Sequence, residues 1–217
     1  MTTRVAKSGF TLLEILLAIF ILGIVLTTVY AAYTGTMRTV TQTDYDNHVY
    51  SMARSTMKRM VEDIGSVCTF GGKFIFLSQS SELGVSDLAE LTFLTNSHIS
   101  FGEDTTGGLA AIMYYLEEDA KGNGYILLRK DVVYTGEESI PLEKSGGYIL
   151  CKRIKSIRYT FYDTKGDDFD NWDSATDDHK DRAPLMVAVH MTFLDPEDED
   201  NTYPFMTKMF IPMVTAE

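Results

Sequence analysis

The stretch Ser8-Gly9-Phe10-Thr11-Leu12-Leu13-Glu14, set directly against the run Ile15 to Met37, decides the reading of this chain. That run is 23 residues long and holds no charged side chain. A helix rises about 1.5 Å per residue, so about 20 apolar residues cross the hydrocarbon core of a bilayer. Glu14 stands at the mouth of the span. A carboxylate in lipid costs roughly 2.5–3.5 kcal/mol on insertion scales, so its presence calls for a partner. That one residue separates the segment from an ordinary anchor.

Two plainer readings fit less well. A secretory signal has an apolar stretch of about 7–15 residues before a small-residue cleavage site. Val29-Tyr30-Ala31 offers such a site, but the stretch before it is too long and opens with an acid. A plain signal anchor fits the length, with Arg4 and Lys7 holding the N-terminus in the cytoplasm. It leaves Glu14 and the Gly9-Phe10 junction unexplained.

Gly9-Phe10-Thr11-Leu12-Leu13-Glu14 before a hydrophobic helix resembles the class III leader of type IV pilins and type II secretion pseudopilins. The resemblance implies that a prepilin peptidase, a membrane aspartyl enzyme, cuts between Gly9 and Phe10 and methylates the new N-terminus. Glu14 is then the fifth residue of the mature chain. The Phe10 ammonium of an incoming subunit can neutralise the Glu14 carboxylate of a neighbour, removing a penalty that each charge bears alone in lipid. The competing role for Glu14 is to snorkel to the headgroups.

Composition sets the compartment and excludes several partners. The 217 residues suit an anchor and one globular domain. The formal charge is −12, and loss of residues 1–9 leaves 17 basic against 31 acidic residues, a formal −14. Such a balance argues against nucleic acid and against adhesion to anionic headgroups beyond the helix itself. Arg4 and Lys7 predict an N-in topology, and with it the resemblance implies a single-pass bacterial inner-membrane protein with its bulk in the periplasm. That compartment permits disulfides. Cys68 and Cys151 are 83 positions apart. A bridge between them would contribute about 4 kcal/mol by loop entropy. Small buried apolar thiols are the other reading.

Along the chain, the helix is expected to outrun the membrane. Apolar residues recur at Val40, Val49, Ala53, Met57, Met60 and Ile64, and the last four spacings are helical. Lys58, Arg59, Glu62 and Asp63 fall mostly off that stripe, and Gly65 offers a stop. One helix from near Leu12 to Ile64 follows, about 55 residues and about 80 Å long. Gly23 inside the span is a tolerated glycine or a point of close approach or local unwinding. From Cys68 the chain turns to short β-like runs: 73–77, 90–95, 109–116, 125–134, 148–162, 185–193 and 203–214. Gly122-Asn123-Gly124 reads as a hairpin turn, Ile157, Tyr159 and Phe161 as one buried strand face, and Pro204 and Pro212 as marks of an edge strand or strand ends. Seven candidate strands after one long helix give an α+β class, an antiparallel sheet packed on the helix. The domain expectation is a leader at 1–9, an N-terminal helix at 10–67 with its membrane part at 10–37, and a periplasmic β-rich domain at 68–217.

The order 125–130, 157–163, Asn171-Trp172 and 183–189 resembles the J-type minor pseudopilin of type II secretion systems. The family implication is a subunit near the tip of a short pseudopilus, beside the I-type and K-type minor pseudopilins, that helps initiate assembly and export of folded periplasmic proteins. A minor type IV pilin shares the leader, helix and domain and stays the alternative. No catalytic constellation is read, and the four histidines, His48, His98, His179 and His190, lack metal spacing. The expectation is a structural protein, not an enzyme. One acidic cluster runs from Asp163 to Asp181, where Asp168, Asp170 and Asp173 are weak calcium candidates against a solvated loop. A second, Asp195 to Asp200, reads as a polar hairpin loop.

Overall fold

The first element is one helix, α1 (Leu12–Gly65), within a residue of the expected end. The structure is a computed structural model, and it describes residues 9–99, 108–120, 122, 124–136, 144–195 and 201–212. The chain divides into two compact units, residues 1–48 and 49–217. In the first unit every described side chain up to Asp44 is exposed. This is the one helix of the described chain long and apolar enough to cross a membrane.

The second unit starts within α1. Val49, Ala53, Thr56, Met60, Asp63 and Ile64 are buried there at helical spacing. The buried stripe differs from the expected one in three places. Val40 is exposed, Met57 is half-buried while Thr56 takes the buried position, and Asp63, expected off the stripe, is fully buried. Thr56 tolerates burial because its hydroxyl donates to the Leu150 carbonyl at 3.4 Å. The end of the helix therefore folds with the strands. Beyond Gly65, the amides of Ser66 and Val67 bond back three residues, to Asp63 and Ile64, in a tightened last turn.

Among the described residues eight strands follow: β1 (Phe76–Ser80), β2 (Ala89–Thr95), β3 (Ala110–Glu118), β4 (Tyr125–Val133), β5 (Tyr148–Tyr162), β6 (Asp168–Phe169), β7 (Met186–Leu194) and β8 (Thr202–Phe210). They form one antiparallel sheet in the order β1-β2-β3-β4-β5-β7-β8, with β6 paired beside β5. The fold is α+β, one long apolar N-terminal helix and an antiparallel sheet domain of pilin-like type. Three strand expectations shift. Gly71 and Gly72, both at positive φ, make a tight turn in which Phe70 and Lys73 exchange backbone bonds, so β1 begins at Phe76 instead of Lys73. The two-residue β6 is too short to leave a periodic signal. β8 ends at Phe210, before Pro212, and residues 213–217 of the expected run to Val214 lie outside the described residues. β8 is an edge strand, which accommodates the Pro204 nitrogen.

The β3–β4 hairpin turns where the glycines foretold it. Gly122 and Gly124 have φ of 75° and 82°, and Asp119 N donates to Gly124 O at 3.0 Å. Strand β5 departs from simple alternation: Cys151, Ile154 and Ile157 are all buried although spaced by three. Register shifts against β4 and β7 and a positive φ of 63° at Arg153 mark the bulges that rotate these side chains inward. Arg153 then donates to the Leu194 and Asp195 carbonyls.

The sheet curls until Leu88, just before β2, bridges in parallel with Ile157 of β5. Its inner face holds an aromatic core in which Phe76 meets Phe93 at 5.6 Å and Phe161 at 5.8 Å. Trp172 packs beyond Phe161 at 6.4 Å and stacks on His179 at 3.8 Å. Each such ring buries 150–250 Å² or so, which dominates the packing energy. The excursion between β5 and β7 also covers the outer edge of β1. There Ser78 N donates to Trp172 O at 2.7 Å and Phe76 N to Ser174 Oγ at 2.9 Å.

Candidate processing and assembly site

At the start of α1, Thr11 is the N-cap residue. The Glu14 amide donates to the Thr11 carbonyl at 3.1 Å and to its Oγ1 at 3.3 Å, and the Ile15 amide reaches the same carbonyl at 3.2 Å. Thr-x-x-Glu is the residue pattern of a capping box, and the structure holds the threonine half of it. Glu14 is also the acid of the first turn, where the aligned peptide dipoles favour negative charge. The sequence signal for the cap, Thr11 three residues before Glu14, was present and went unread.

Gly9 and Phe10 precede the cap outside the helix, and Phe10 is 82% exposed. A peptidase needs accessible backbone outside a helix, and Gly9 and Phe10 are both exposed and non-helical. Gly9 has open space where a Cβ would stand, so the structure gives no packing reason for glycine at this position. Phe10, Leu12, Leu13, Leu16, Leu17 and Phe20 leave a continuous apolar surface around Glu14. Arg4 and Lys7, on which the expected orientation rests, lie outside the described residues.

The residues 4–30 match the prokaryotic N-terminal methylation motif. The motif marks a type IV pilin-like protein. Comparison with curated proteins finds no match. The class III leader of this pilin-like chain, pilin or pseudopilin, implies processing by a prepilin peptidase and a membrane-anchored, pilus-like assembly. It points to a structural subunit rather than a catalyst. The exposed apolar helix and the leader together indicate an inner-membrane anchor.

A second cluster, missed in the sequence, joins the helix to the sheet of the pilin-like unit. Asp63, fully buried, accepts from Arg129 Nε at 2.6 Å and Nη2 at 3.0 Å, from Arg59 Nη2 and from the Tyr114 hydroxyl. Tyr114 and Arg129 are register partners on β3 and β4, so both point at the same carboxylate. Arg129 also donates to Asp131 Oδ2 at 2.8 Å, and Asp131 holds His98 Nδ1 at 2.7 Å and the Ile99 amide at 2.9 Å. Burial alone would raise the Asp63 carboxyl; the bonds from Arg129, Arg59 and Tyr114 outweigh it and hold the group below the usual carboxylate range. Tyr114 is pushed well up, by burial and then by the Asp63 charge. Nothing in this cluster offers a nucleophile beside a base; it is a clamp. The readable signals were an acid one residue before Ile64 on a buried stripe and an arginine on the inward alternation after Leu127.

The calcium candidates do not converge. Asp168 sits on β6, Asp170 is exposed, and Asp173 accepts the Ala175 amide at 2.8 Å. Among the described residues no three His, Cys, Asp or Glu side chains gather as a metal would require. Of the second acidic stretch, Asp195 is buried and bonded to Asn201 and Tyr203, and residues 196–200 lie outside the described residues. Cys68 and Cys151 are both free thiols, half-buried and buried. Burial pushes the Cys151 thiol up to about 12.

Proposed function

We propose that this chain is a minor pseudopilin of a type II secretion system, of the J-type, standing near the pseudopilus tip with I-type and K-type subunits and helping to start assembly. The observation that supports the pilin-like level of the reading is the Gly9-Phe10 junction followed by Glu14 on a capped apolar helix exposed up to Asp44, and the J-type level rests on the order of the segments 125–130, 157–163, Asn171-Trp172 and 183–189. Prepilin peptidase cuts between Gly9 and Phe10, and Phe10 becomes the methylated N-terminus. Glu14 receives the Phe10 ammonium of a neighbouring subunit. Residues 10–37 lie in the inner membrane, N-in, and the strand-bearing unit lies in the periplasm. The sheet domain supplies the surface that distinguishes one subunit from another, since the helix chemistry is shared by all pilin-like chains.

Two measurements test the two levels of this reading. Intact mass of the membrane-extracted chain is expected to show loss of residues 1–9 and gain of one methyl group; a chain retaining Gly9 overturns the leader assignment. Co-purification of the full chain in detergent with the I-type and K-type subunits of its own genome is expected to give a stoichiometric complex. Its failure, with both partners folded, moves the chain to the minor type IV pilins.

A further inference from the structure

The uncharged run Ile15 to Met37 is 23 residues long, and about 20 residues fill the hydrocarbon core of a bilayer. Which of them lie in the core decides where Glu14 stands. A core that ends at Met37 begins near Leu17 and leaves Glu14 about 4.5 Å out among the headgroups. A core that ends between Tyr30 and Tyr33 begins between Phe10 and Leu13 and encloses Glu14. The surface of α1 favours the second position. Tyr30 and Tyr33 are 70% and 58% exposed, and three residues apart they are neighbours on one side of the helix. They are the only aromatic residues between Phe20 and Tyr45. A phenol has an apolar body and a polar tip, which suits the boundary between acyl chains and headgroups. On the near side of the pair, Thr27 and Thr28 are the only polar side chains after Glu14. Their hydroxyls donate to carbonyls of the same helix, Gly23 at 2.8 Å and Val25 at 2.9 Å, so neither needs water. On the far side the surface turns polar at once: Thr34, Thr36, Arg38 and Thr39 follow within six residues. Arg38, the first cation, stands about 7.5 Å beyond Tyr33 along the axis, within reach of lipid phosphates.

We propose that Tyr30 and Tyr33 anchor α1 in the headgroup layer of the periplasmic leaflet and so hold Glu14 inside the hydrocarbon at the opposite leaflet. The inference rests on the inner-membrane, N-in part of the function proposed above, and it is the same for a pilin and a pseudopilin. The two ends of the span then work against each other. Glu14 reaches the cytoplasmic headgroups only if the helix slides towards its N-terminus. That slide draws two phenol hydroxyls into the acyl chains, where no water or headgroup oxygen accepts from them. The tyrosines therefore close the route by which the carboxylate would escape alone, and a cation brought by another chain becomes its remaining relief. The run of 23 uncharged residues would otherwise tilt or shift to suit the bilayer, since nothing else within it fixes its depth.

The test uses the full chain in phosphatidylcholine vesicles whose acyl chains carry bromine either near the headgroup or near the bilayer centre. Tyr33→Trp and Leu22→Trp report depth by quenching, with the emission of buried Trp172 in the native chain subtracted. Tyr33→Trp is expected to be quenched several-fold more by the shallow bromines than by the deep ones, and Leu22→Trp the reverse. The depth of Glu14 is read by carbodiimide labelling of its peptide, mapped by mass spectrometry. An apolar carbodiimide is expected to label Glu14 in the native chain. In Tyr30→Leu/Tyr33→Leu that labelling is expected to fall several-fold and labelling by a water-soluble carbodiimide to rise. Tyr30→Trp/Tyr33→Trp, which keeps interfacial side chains, is expected to label like the native chain. Tyr33→Trp quenched best by the deep bromines overturns the proposal, because the span then runs on to Met37. So does Glu14 labelling unchanged in the leucine variant or lost equally in the tryptophan variant. Tyr33→Trp left unquenched while Leu22→Trp responds, as when a neighbouring helix covers the tyrosines, overturns it too. Silence of both reporters overturns the membrane reading itself, and the proposal with it.

Discussion

Asp63 is the residue on which the domain is most sensitive. Its carboxylate is taken wholly out of water and is stabilised only because Arg129, Arg59 and Tyr114 converge on it. Removing one partner from a buried ion pair leaves the other uncompensated, at a cost of about 3–5 kcal/mol. Asp63→Ala is therefore expected to lower the thermal midpoint of the domain sharply, while Glu62→Ala, one residue away and half in solvent, is expected to change it little. The same carboxyl sets an acid limit. Its folded-state pKa lies below the unfolded value, so its contribution is fully present above about pH 4 and is lost as pH falls through the folded value. Urea midpoints measured from pH 7 down to pH 3 are expected to be level first and to fall below about pH 4, and Asp63→Asn is expected to flatten that fall. A thiol probe gives a third check at this scale. With its thiol buried and pushed up to about 12, Cys151 is expected to stay unlabelled at pH 8 until denaturant is added, and half-buried Cys68 to label first. The sequence held a trace of each end, an acid before Ile64 and an arginine in alternation after Leu127, but not their pairing. Separated by 66 positions, neither residue points to the other, and their meeting is decided by which strand faces α1.

The elements themselves were largely legible, because each is set by a period. The 54-residue helix follows from an uncharged run joined to a 3.6-residue stripe, and β2, β3, β4, β5 and β7 follow from alternation between turn residues. The misses occur where a turn or a bulge overrides the period. The glycine turn at 71–72 delays β1, and the bulges in β5 move Cys151, Ile154 and Ile157 to one face. The hairpin between β3 and β4 is the most exacting of these turns. A Cβ at Gly124 would lie 2.6 Å from the Ile154 carbonyl oxygen and 2.8 Å from a Leu194 methyl, with φ at +82° besides. Gly124→Ala must therefore move backbone as well as strain it, and a loss of about 2–3 kcal/mol is expected in chemical denaturation. Gly122→Ala, with open space around its Cβ but φ at +75°, is expected to lose about 1 kcal/mol. Equal losses at the two positions would show that dihedral strain alone governs the turn.

At the scale of the whole molecule, the leader turns an anchor into a subunit that joins others. Along its own described helix the first cation after Glu14 is Arg38, several turns away, and the side chains around it, Thr11 apart, are exposed and apolar. Cleavage after Gly9 would place an ammonium on Phe10, about one helical turn away from Glu14 along the chain. Pairing it with the acid of an adjacent subunit fixes the axial register between two otherwise featureless apolar helices, as a single polar residue does in a coiled coil. The penalty for leaving either charge alone in lipid, roughly 2.5–3.5 kcal/mol, corresponds to about a hundredfold in an assembly equilibrium. Glu14→Ala is thus expected to insert, to be cleaved and to be methylated normally, since the proposed peptidase junction is Gly9-Phe10. Its recovery in sheared or detergent-resolved assemblies is expected to fall by one to two orders of magnitude. Glu14→Gln separates charge from hydrogen bonding: it keeps the shape and the first-turn position but cannot neutralise an ammonium, so it is expected to fail like alanine. A glutamine variant that assembles normally would show that Glu14 serves the helix start through Thr11 rather than the neighbour's N-terminus, and the Thr11→Ala variant, expected to cost only about 1 kcal/mol of helix stability, would then be the more damaging of the two.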